Sequence, residues 1–176
     1  MKKLAISIFA VIFMVLGLIY FNKPDSQVPD SGLLEAVAGK REAIYEAALA
    51  RDYEALAAEA DPSINYSFGG PVEGGLATYL RTSDGNLAKV QGAKKQNNFE
   101  IIETLLDLPY AKQGNLYIWP AVFLKASSDW TEDDLAQMKE LLTDQQIEGY
   151  RNFGAYAYYR LGITEEGKWV YYLAGD

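Results

Sequence analysis

The sequence contains neither cysteine nor histidine, and these two absences exclude several classes of chemistry. Without cysteine there is no disulfide framework, no thiol nucleophile, no zinc–thiolate site and no lipidated cysteine of a bacterial lipoprotein. Without histidine there is no Ser/His/Asp triad and no ordinary zinc or copper ligand set. We therefore expect no bound cofactor, and the remaining function classes are those that need neither residue.

Basic residues are scarce after the N-terminus. All 24 acidic residues follow Lys23, where only 13 basic residues lie, so this part of the chain has a formal charge of −11. A domain this acidic repels a phosphate backbone, and we expect no nucleic-acid partner. A chain of 176 residues is long enough for one such domain, stable without disulfides or metals.

One long apolar run is present. Leu4–Phe21 is 18 residues without a charge and follows Lys2 and Lys3. At about 1.5 Å per residue it spans about 27 Å, enough to cross a bilayer. The two lysines favour an N-terminus inside, which predicts an inner-membrane anchor with the soluble domain in the periplasm or at the cell surface. The alternative is a cleaved signal peptide that releases a periplasmic protein, although no small-x-small site follows the run.

The segments after this run divide the chain into a linker and one domain. Residues 24–32 are rich in Pro, Ser, Asp and Gly and predict a flexible linker between the 1–23 segment and a single 33–176 domain. Apolar periodicity predicts the elements of that domain. Helices are expected from Leu33 (or from Lys40, if Gly39 breaks the first), over Tyr53–Ala60 and over Val72–Arg81, and further helices after an Asn98 cap and from Thr131; strands are expected over 64–68 and 116–120.

The C-terminal part is the most strand-like. Ala155–Ile163 and Trp169–Ala174 are aromatic runs separated by Thr164–Lys168, which predicts a β-hairpin. Residues 82–86 have the composition of a turn. Helices first and an antiparallel hairpin last predict an α+β fold with a small antiparallel sheet.

Several segments match part of a known site motif but lack a residue that the motif requires. Gly70 and Gly75 have the spacing of a phosphate loop, but Leu76 and Ala77 stand where Lys and Ser/Thr would be required. Acidic clusters at 84–86 and 132–134 do not continue into a calcium loop, so we expect no metal site. No serine is followed by lysine at the Ser-x-x-Lys spacing, which argues against acyl transfer without histidine.

Aromatic residues are the compositional excess that suggests a site. Six of the 13 tyrosines lie in the last 27 residues. We predict a ligand-binding pocket or strip built from Tyr66, Trp119, Tyr156, Tyr158 and Arg160, able to stack on a sugar ring or a peptide. Ordinary cross-strand packing with Trp169, Tyr171 or Tyr172 is the alternative explanation of the same residues.

Two functions remain open on this reading. The first is a membrane-tethered extracytoplasmic binding or accessory domain, with an envelope protein or glycan as partner and no enzymatic activity. The second is an envelope glycan hydrolase, because carboxylate-pair chemistry needs no histidine. Its candidate acids are Glu73, Glu100 and Asp107.

Three segments together are similar to a group of uncharacterised exported bacterial proteins. They are Ser67-Phe68-Gly69-Gly70, Tyr117-Ile118-Trp119-Pro120, and Tyr159-Arg160-Leu161-Gly162-Ile163 with Gly167-Lys168-Trp169 and the final Ala174-Gly175-Asp176. The resemblance covers most of residues 40–176. It implies one extracytoplasmic domain and no particular activity. The helical first half with a later sheet also resembles the cone-shaped folds of the nuclear-transport-factor-2 type.

Overall fold

A computed structural model describes residues 32–67, 70, 72–89 and 92–175. The predicted membrane segment Leu4–Phe21 and nearly all of the predicted linker lie outside the described residues. Within the described part, no helix combines the length and the apolar character that crossing a bilayer requires.

The described chain forms six helices, five strands and two short 3₁₀ turns. In chain order they are α1 (Glu35–Leu49), α2 (Tyr53–Glu59), β1 (Ala60–Asn65), α3 (Gly75–Leu87), α4 (Asn98–Asp107), β2 (Ala111–Gln113), β3 (Leu116–Trp119), the 3₁₀ turns Ala121–Leu124 and Ser127–Asp129, α5 (Glu132–Leu141), α6 (Asp144–Phe153), β4 (Arg160–Thr164) and β5 (Trp169–Leu173). The α+β class predicted from the sequence is confirmed.

The five strands form one mixed sheet in the order β1-β5-β4-β3-β2. Strands β2 to β5 are an antiparallel meander, whereas β1 pairs parallel to β5. The prediction of a small antiparallel sheet is therefore correct for β2 to β5 and wrong for β1, which is parallel to β5. A parallel pair requires a long crossover, and the whole stretch from α3 to β4 supplies it.

Helices α1 and α4 cover one face of the sheet, called here the inner face. Its strand residues are Tyr117, Trp119, Leu161, Ile163, Trp169 and Tyr172. Ile44 of α1 and Ile102 of α4 are fully buried against this layer. Arg41 interrupts the apolar stripe of α1 because its Nε and Nη2 atoms donate to the Leu106 carbonyl, at 2.9 and 2.7 Å, and satisfy the end of α4.

Several element boundaries differ from the sequence prediction, among them the start of α3 at Gly75 where Val72 was expected. Helix α1 runs through Gly39 without a break, so the start at Lys40 is wrong. Strand β1 begins at Ala60 and includes Pro62, which an edge strand tolerates. The cap of α4 is Asn97 and not Asn98, since the Asn97 side chain accepts from the Glu100 amide at 3.0 Å.

The predicted turn at residues 82–86 belongs to α3, which continues to Leu87. Asp84 explains the difference: its carboxylate accepts from the Asn98 amide and from the Tyr53 hydroxyl, each at 2.6 Å. These long-range hydrogen bonds keep residues of low helix propensity in a helix. Local propensity alone cannot predict such an effect of tertiary structure. The helix predicted from Thr131 is confirmed, with a capping box between Thr131 and Asp134.

The C-terminal hairpin is also confirmed, but β4 starts only at Arg160. Residues 155–159 are therefore not part of the strand, and their side chains do not alternate between two sheet faces. A register shift in β5 between its pairings with Ile163 and Gly162 leaves Val170 as the extra residue.

Candidate functional site

Tyrosine rings pack into two groups, a pair formed by Tyr66 and Tyr79 and a trio formed by Tyr158, Tyr159 and Tyr172. Tyr66 lies 5.2 Å from Tyr79, and Tyr159 lies 5.1 Å from Tyr158 and 5.0 Å from Tyr172, measured between ring centroids. Burial raises the pKa of Tyr79 and, with a smaller contribution from Tyr150, raises the pKa of Tyr158 to about 12. The hydroxyls of these two residues therefore remain protonated at neutral pH.

Two residues of the predicted binding strip are part of the core. Trp119 is fully buried on the inner face, with its ring 5.6 Å from that of Tyr110. Tyr156 is buried as well, and its hydroxyl donates to the Tyr159 carbonyl at 2.8 Å. Neither side chain is available to a ligand at the surface. Both belong to the core, where the Tyr156 ring lies 6.1 Å from that of Tyr150, so Tyr156 is not explained by the cross-strand packing considered above.

The other three predicted residues lie in separate places. Tyr66 follows β1, is nearly buried by Tyr79 and lines a cavity of about 300 Å³ along the β1 edge. Tyr158 is half-buried between α6 and the sheet. Arg160 opens β4 on the face opposite to Trp119, which pairs with Leu161. The structure does not bring the five residues together.

An apolar groove runs along α6, an element that the sequence analysis missed. Its lining is Gln146, Gly149, Tyr150, Phe153, Ala157 and Gly175, and its volume is about 580 Å³. The helical residues are spaced i, i+3, i+4 and i+7, the pattern of one helix face. That spacing was the signal in the sequence that could have found both the helix and the groove.

The groove is open to solvent because α6 packs against the rest of the domain through few buried side chains. Ile147 is the one buried residue of the helix, and Phe153 is 58 % exposed. Gly149 faces open space, with no atom within 4 Å of where a Cβ would stand. The C-terminal end of the groove is held by the Gly175 amide, which donates to the Ala157 carbonyl at 2.9 Å.

A smaller cavity lies on the other face of the sheet, called here the outer face. It has a volume of about 200 Å³. Its lining is Gln113, Leu116, Ile118, Phe123, Arg160, Tyr171 and Leu173. The Arg160 guanidinium stands over the Phe123 ring at 4.6 Å and donates to the Gly175 carbonyl at 2.5 Å. Arg160 thus connects this cavity to the end of the groove.

A buried polar centre joins α3, α4 and β5. The Asn98 Nδ2 atom donates to the Leu80 carbonyl at 3.0 Å and to the Ser83 hydroxyl at 2.7 Å. Its Oδ1 accepts from the Tyr172 hydroxyl at 2.8 Å. Because each polar atom of the fully buried Asn98 side chain has a partner, the centre acts as a structural tie and offers nothing to a ligand.

The carboxylates considered for glycan chemistry have structural partners. Glu100 accepts from the Gln96 amide at 2.9 Å, and Asp107 accepts from the Tyr45 hydroxyl at 3.3 Å. These two acids are seven residues apart on α4, which is about 10 Å along a helix axis. Paired glycosidase carboxylates stand closer, at roughly 5–9.5 Å. Glu73 is exposed before α3.

The pKa of the Glu103 carboxyl is raised above its ordinary value. Burial raises the pKa of its carboxyl, and the Arg51 guanidinium, 2.9 Å away, partly opposes the increase. A raised carboxyl pKa is a property of general acids, but Glu103 is occupied by its ion pair. Among the described residues, no three or more acidic side chains are grouped so that they could hold a metal ion.

No family model matches the chain, and no significant match was found to a curated protein or to a solved structure. The function must therefore be argued from the residues and from the geometry of the two surface features.

Proposed function

We propose that the chain is a membrane-tethered binding or accessory module of the bacterial envelope, and that its α6 groove receives an uncharged apolar segment of a partner protein. The single observation that carries this proposal is the groove. Its volume of about 580 Å³ lies within the roughly 300–1,000 Å³ of ligand pockets, and its walls are mainly apolar.

The chemistry of the groove favours a neutral occupant. The lining residues carry no charge, although the chain as a whole has a formal charge of −8. Tyr150 and Phe153 offer rings at the surface, and Gly149 leaves room between them for an inserted side chain. Anionic lipid headgroups are disfavoured by the acidic domain, whereas an apolar protein segment meets no such repulsion.

The position of the groove favours a partner that approaches from the side of the domain away from the membrane. The beginning of α1 lies near the closed end of the hairpin, because a Cβ on Gly167 would meet the carbonyl oxygen of Ala36. The groove lies at the open end, beside Ala157 and Gly175. At about 3.4 Å per residue, the five residues of β4 separate these ends by roughly 15 Å. An anchor formed by Leu4–Phe21 would enter at the end opposite to the groove.

The tether is tested by intact-protein mass spectrometry after fractionation of the native host. A full-length mass in the membrane fraction supports an anchored domain. A truncated periplasmic species contradicts the tether and leaves a diffusible protein with the same groove.

The groove is tested separately by a photo-crosslinking residue placed at Phe153 in the native host. We expect a discrete adduct at this position and none at Glu148, which is exposed on the opposite side of α6. The blocking variant is Gly149→Gln, whose Cβ stands in open space, which adds a side chain to the groove wall and which improves helix propensity by up to about 1 kcal/mol. The adduct should disappear in this variant. Equal adducts at both positions, or an adduct that survives the substitution, would contradict the proposal.

A further inference from the structure

The face of α6 that lines the groove carries no charged residue. The charged residues of the helix are Asp144, Glu148 and Arg151. With about 3.6 residues per turn, all three lie on the side away from Gly149 and Phe153. Glu148 and Arg151 form an ion pair with each other at 3.6 Å. Because the domain is acidic, the uncharged face is the side of α6 on which two copies of the domain meet the least electrostatic repulsion.

The same face combines a protruding ring with open space one helical turn away. Phe153 is the most exposed large apolar side chain in the part of the chain that the structure describes, at 58 %. Gly149 has no atom within 4 Å of where a Cβ would stand. The four α6 residues that line the groove have the i, i+3, i+4 and i+7 spacing. Four residues of one helix surround each inserted side chain in knobs-into-holes packing. The helix thus offers both a side chain to insert and a place to receive one.

The ring and the open space are complementary to each other in an antiparallel pair of α6 helices. If Phe153 of a second copy lies opposite Gly149 of the first, two-fold symmetry places Phe153 of the first copy opposite Gly149 of the second. One arrangement therefore fills both spaces and covers both rings. The removal of the two exposed rings from water favours the association.

We propose that the α6 groove binds the α6 groove of a second copy of this chain, with Phe153 of each copy inserted above Gly149 of the other. The inference rests on the proposed groove function, because it names the partner whose apolar segment the groove receives. That segment is the uncharged face of α6 itself.

The membrane tether is compatible with this pair. The groove lies at the end of the domain opposite to the entry of the anchor, so it stands at the same height above the membrane in both copies. A two-fold axis along the membrane normal then brings the two grooves together side by side. A pair of ten-residue helices is a small interface, and confinement to one membrane raises the effective concentration of the copies.

The test uses introduced cysteines, because the chain has none of its own and every disulfide must then join introduced residues. Full-length Gly149→Cys and Phe153→Cys chains with different tags are co-expressed in the native host and oxidised with copper–phenanthroline. In the proposed pair, position 149 of one copy lies opposite position 153 of the other. Equal positions are displaced from each other by four residues, about 6 Å along the helix axis. Since a disulfide requires Cα atoms within about 7 Å, the heterodisulfide should exceed each homodisulfide at least about tenfold.

The matched control replaces Gly149→Cys by Glu148→Cys, which is the neighbouring position on the charged side of α6. This chain should form no more disulfide with Phe153→Cys than chance encounters give. Unfolding in urea verifies that the three cysteine variants fold, as expected for substitutions at exposed or open positions. Homodisulfides and heterodisulfides in the proportions of chance encounters, or no disulfide at all, would overturn the proposed pair.

The photo-crosslink at Phe153 separates a failure of this inference from a failure of the proposed groove function. We expect an adduct with twice the mass of the chain, which Gly149→Gln removes. An adduct with a different protein would overturn the pairing of two copies and leave the groove function standing. The absence of any adduct at Phe153 would overturn both.

Discussion

Tyr171 and Tyr172 are neighbours in β5 and lie on opposite faces of the sheet, in very different surroundings. Tyr172 is fully buried on the inner face, stacked on Tyr159 and hydrogen-bonded to Asn98 at 2.8 Å. Tyr171 lies on the outer face beside Gly162, and its buried hydroxyl has no hydrogen-bond partner among the described residues. The Tyr172 hydroxyl is therefore satisfied by a helix, whereas the Tyr171 hydroxyl is buried without a described partner.

This difference follows from what covers each face. Helices α1 and α4 pack on the inner face and bury its side chains in one continuous core. On the outer face, the turn containing Phe123 and the strand side chains themselves enclose the small cavity. Substitutions should therefore affect stability more on the inner face than on the outer one.

The largest effect should come from a matched pair of leucines on adjacent strands. Leu161→Ala on the inner face removes a fully buried side chain and should lower the free energy of unfolding by about 2–5 kcal/mol. Leu116→Ala on the outer face removes a partly exposed one and should cost less than half as much. Urea unfolding followed by fluorescence measures both. Equal losses would mean that the outer face contributes to the core as strongly as the inner one.

The second-largest effect should come from the buried polar centre around Asn98, which joins α3, α4 and β5. Asn98→Ala leaves the Tyr172 hydroxyl and the Leu80 carbonyl without their partner, and should lower the free energy of unfolding by about 2–3 kcal/mol. The matched control is Asn97→Ala, which removes the helix cap at the neighbouring position and should cost about 1 kcal/mol. If both variants lose the same stability in urea, the buried centre adds nothing beyond a cap.

A glycine on the outer face should give an intermediate effect. Gly162→Ala forces the Tyr171 ring out of its place and should cost about 1–3 kcal/mol in urea unfolding. Combining it with Tyr171→Ala removes the clash, so the double variant should lose less stability than the two single losses added together. Strict additivity would show that the ring does not limit this position. Gly149→Ala, in open space on α6, should not destabilise the domain.

Much of the fold could be predicted from sequence because local patterns and tertiary packing agree there. The Thr131 capping box, the apolar face of α4 and the C-terminal hairpin each have a short-range signature. The helix over 82–86 could not be predicted, since the Asp84 hydrogen bonds that hold it come from Tyr53 and from Asn98, 31 and 14 residues away. The parallel pairing of β1 has no local signature either.

The candidate sites were less predictable than the fold. Aromatic composition pointed to Trp119 and Tyr156, but aromatic residues serve cores as readily as surfaces, and burial decides between the two. Arg160 was singled out from its place in a strand and does line a cavity, whereas Tyr171, on the neighbouring strand, was assigned to packing. Whether its hydroxyl has a partner depends on Gly162 and on the strand register, which are three-dimensional facts.

The smallest expected effect separates the two tyrosines themselves. Tyr172→Phe removes a hydrogen bond to a buried amide and should cost about 1 kcal/mol in urea unfolding. Tyr171→Phe removes a hydroxyl that has no hydrogen-bond partner in the part of the chain that the structure describes, so stability should stay the same or rise by up to about 1 kcal/mol. Because the two substitutions are chemically identical and adjacent in sequence, effects through the unfolded chain largely cancel in their difference. A loss for Tyr171→Phe equal to that for Tyr172→Phe would mean that the outer hydroxyl is already well hydrogen-bonded, and the comparison between the two faces would fail.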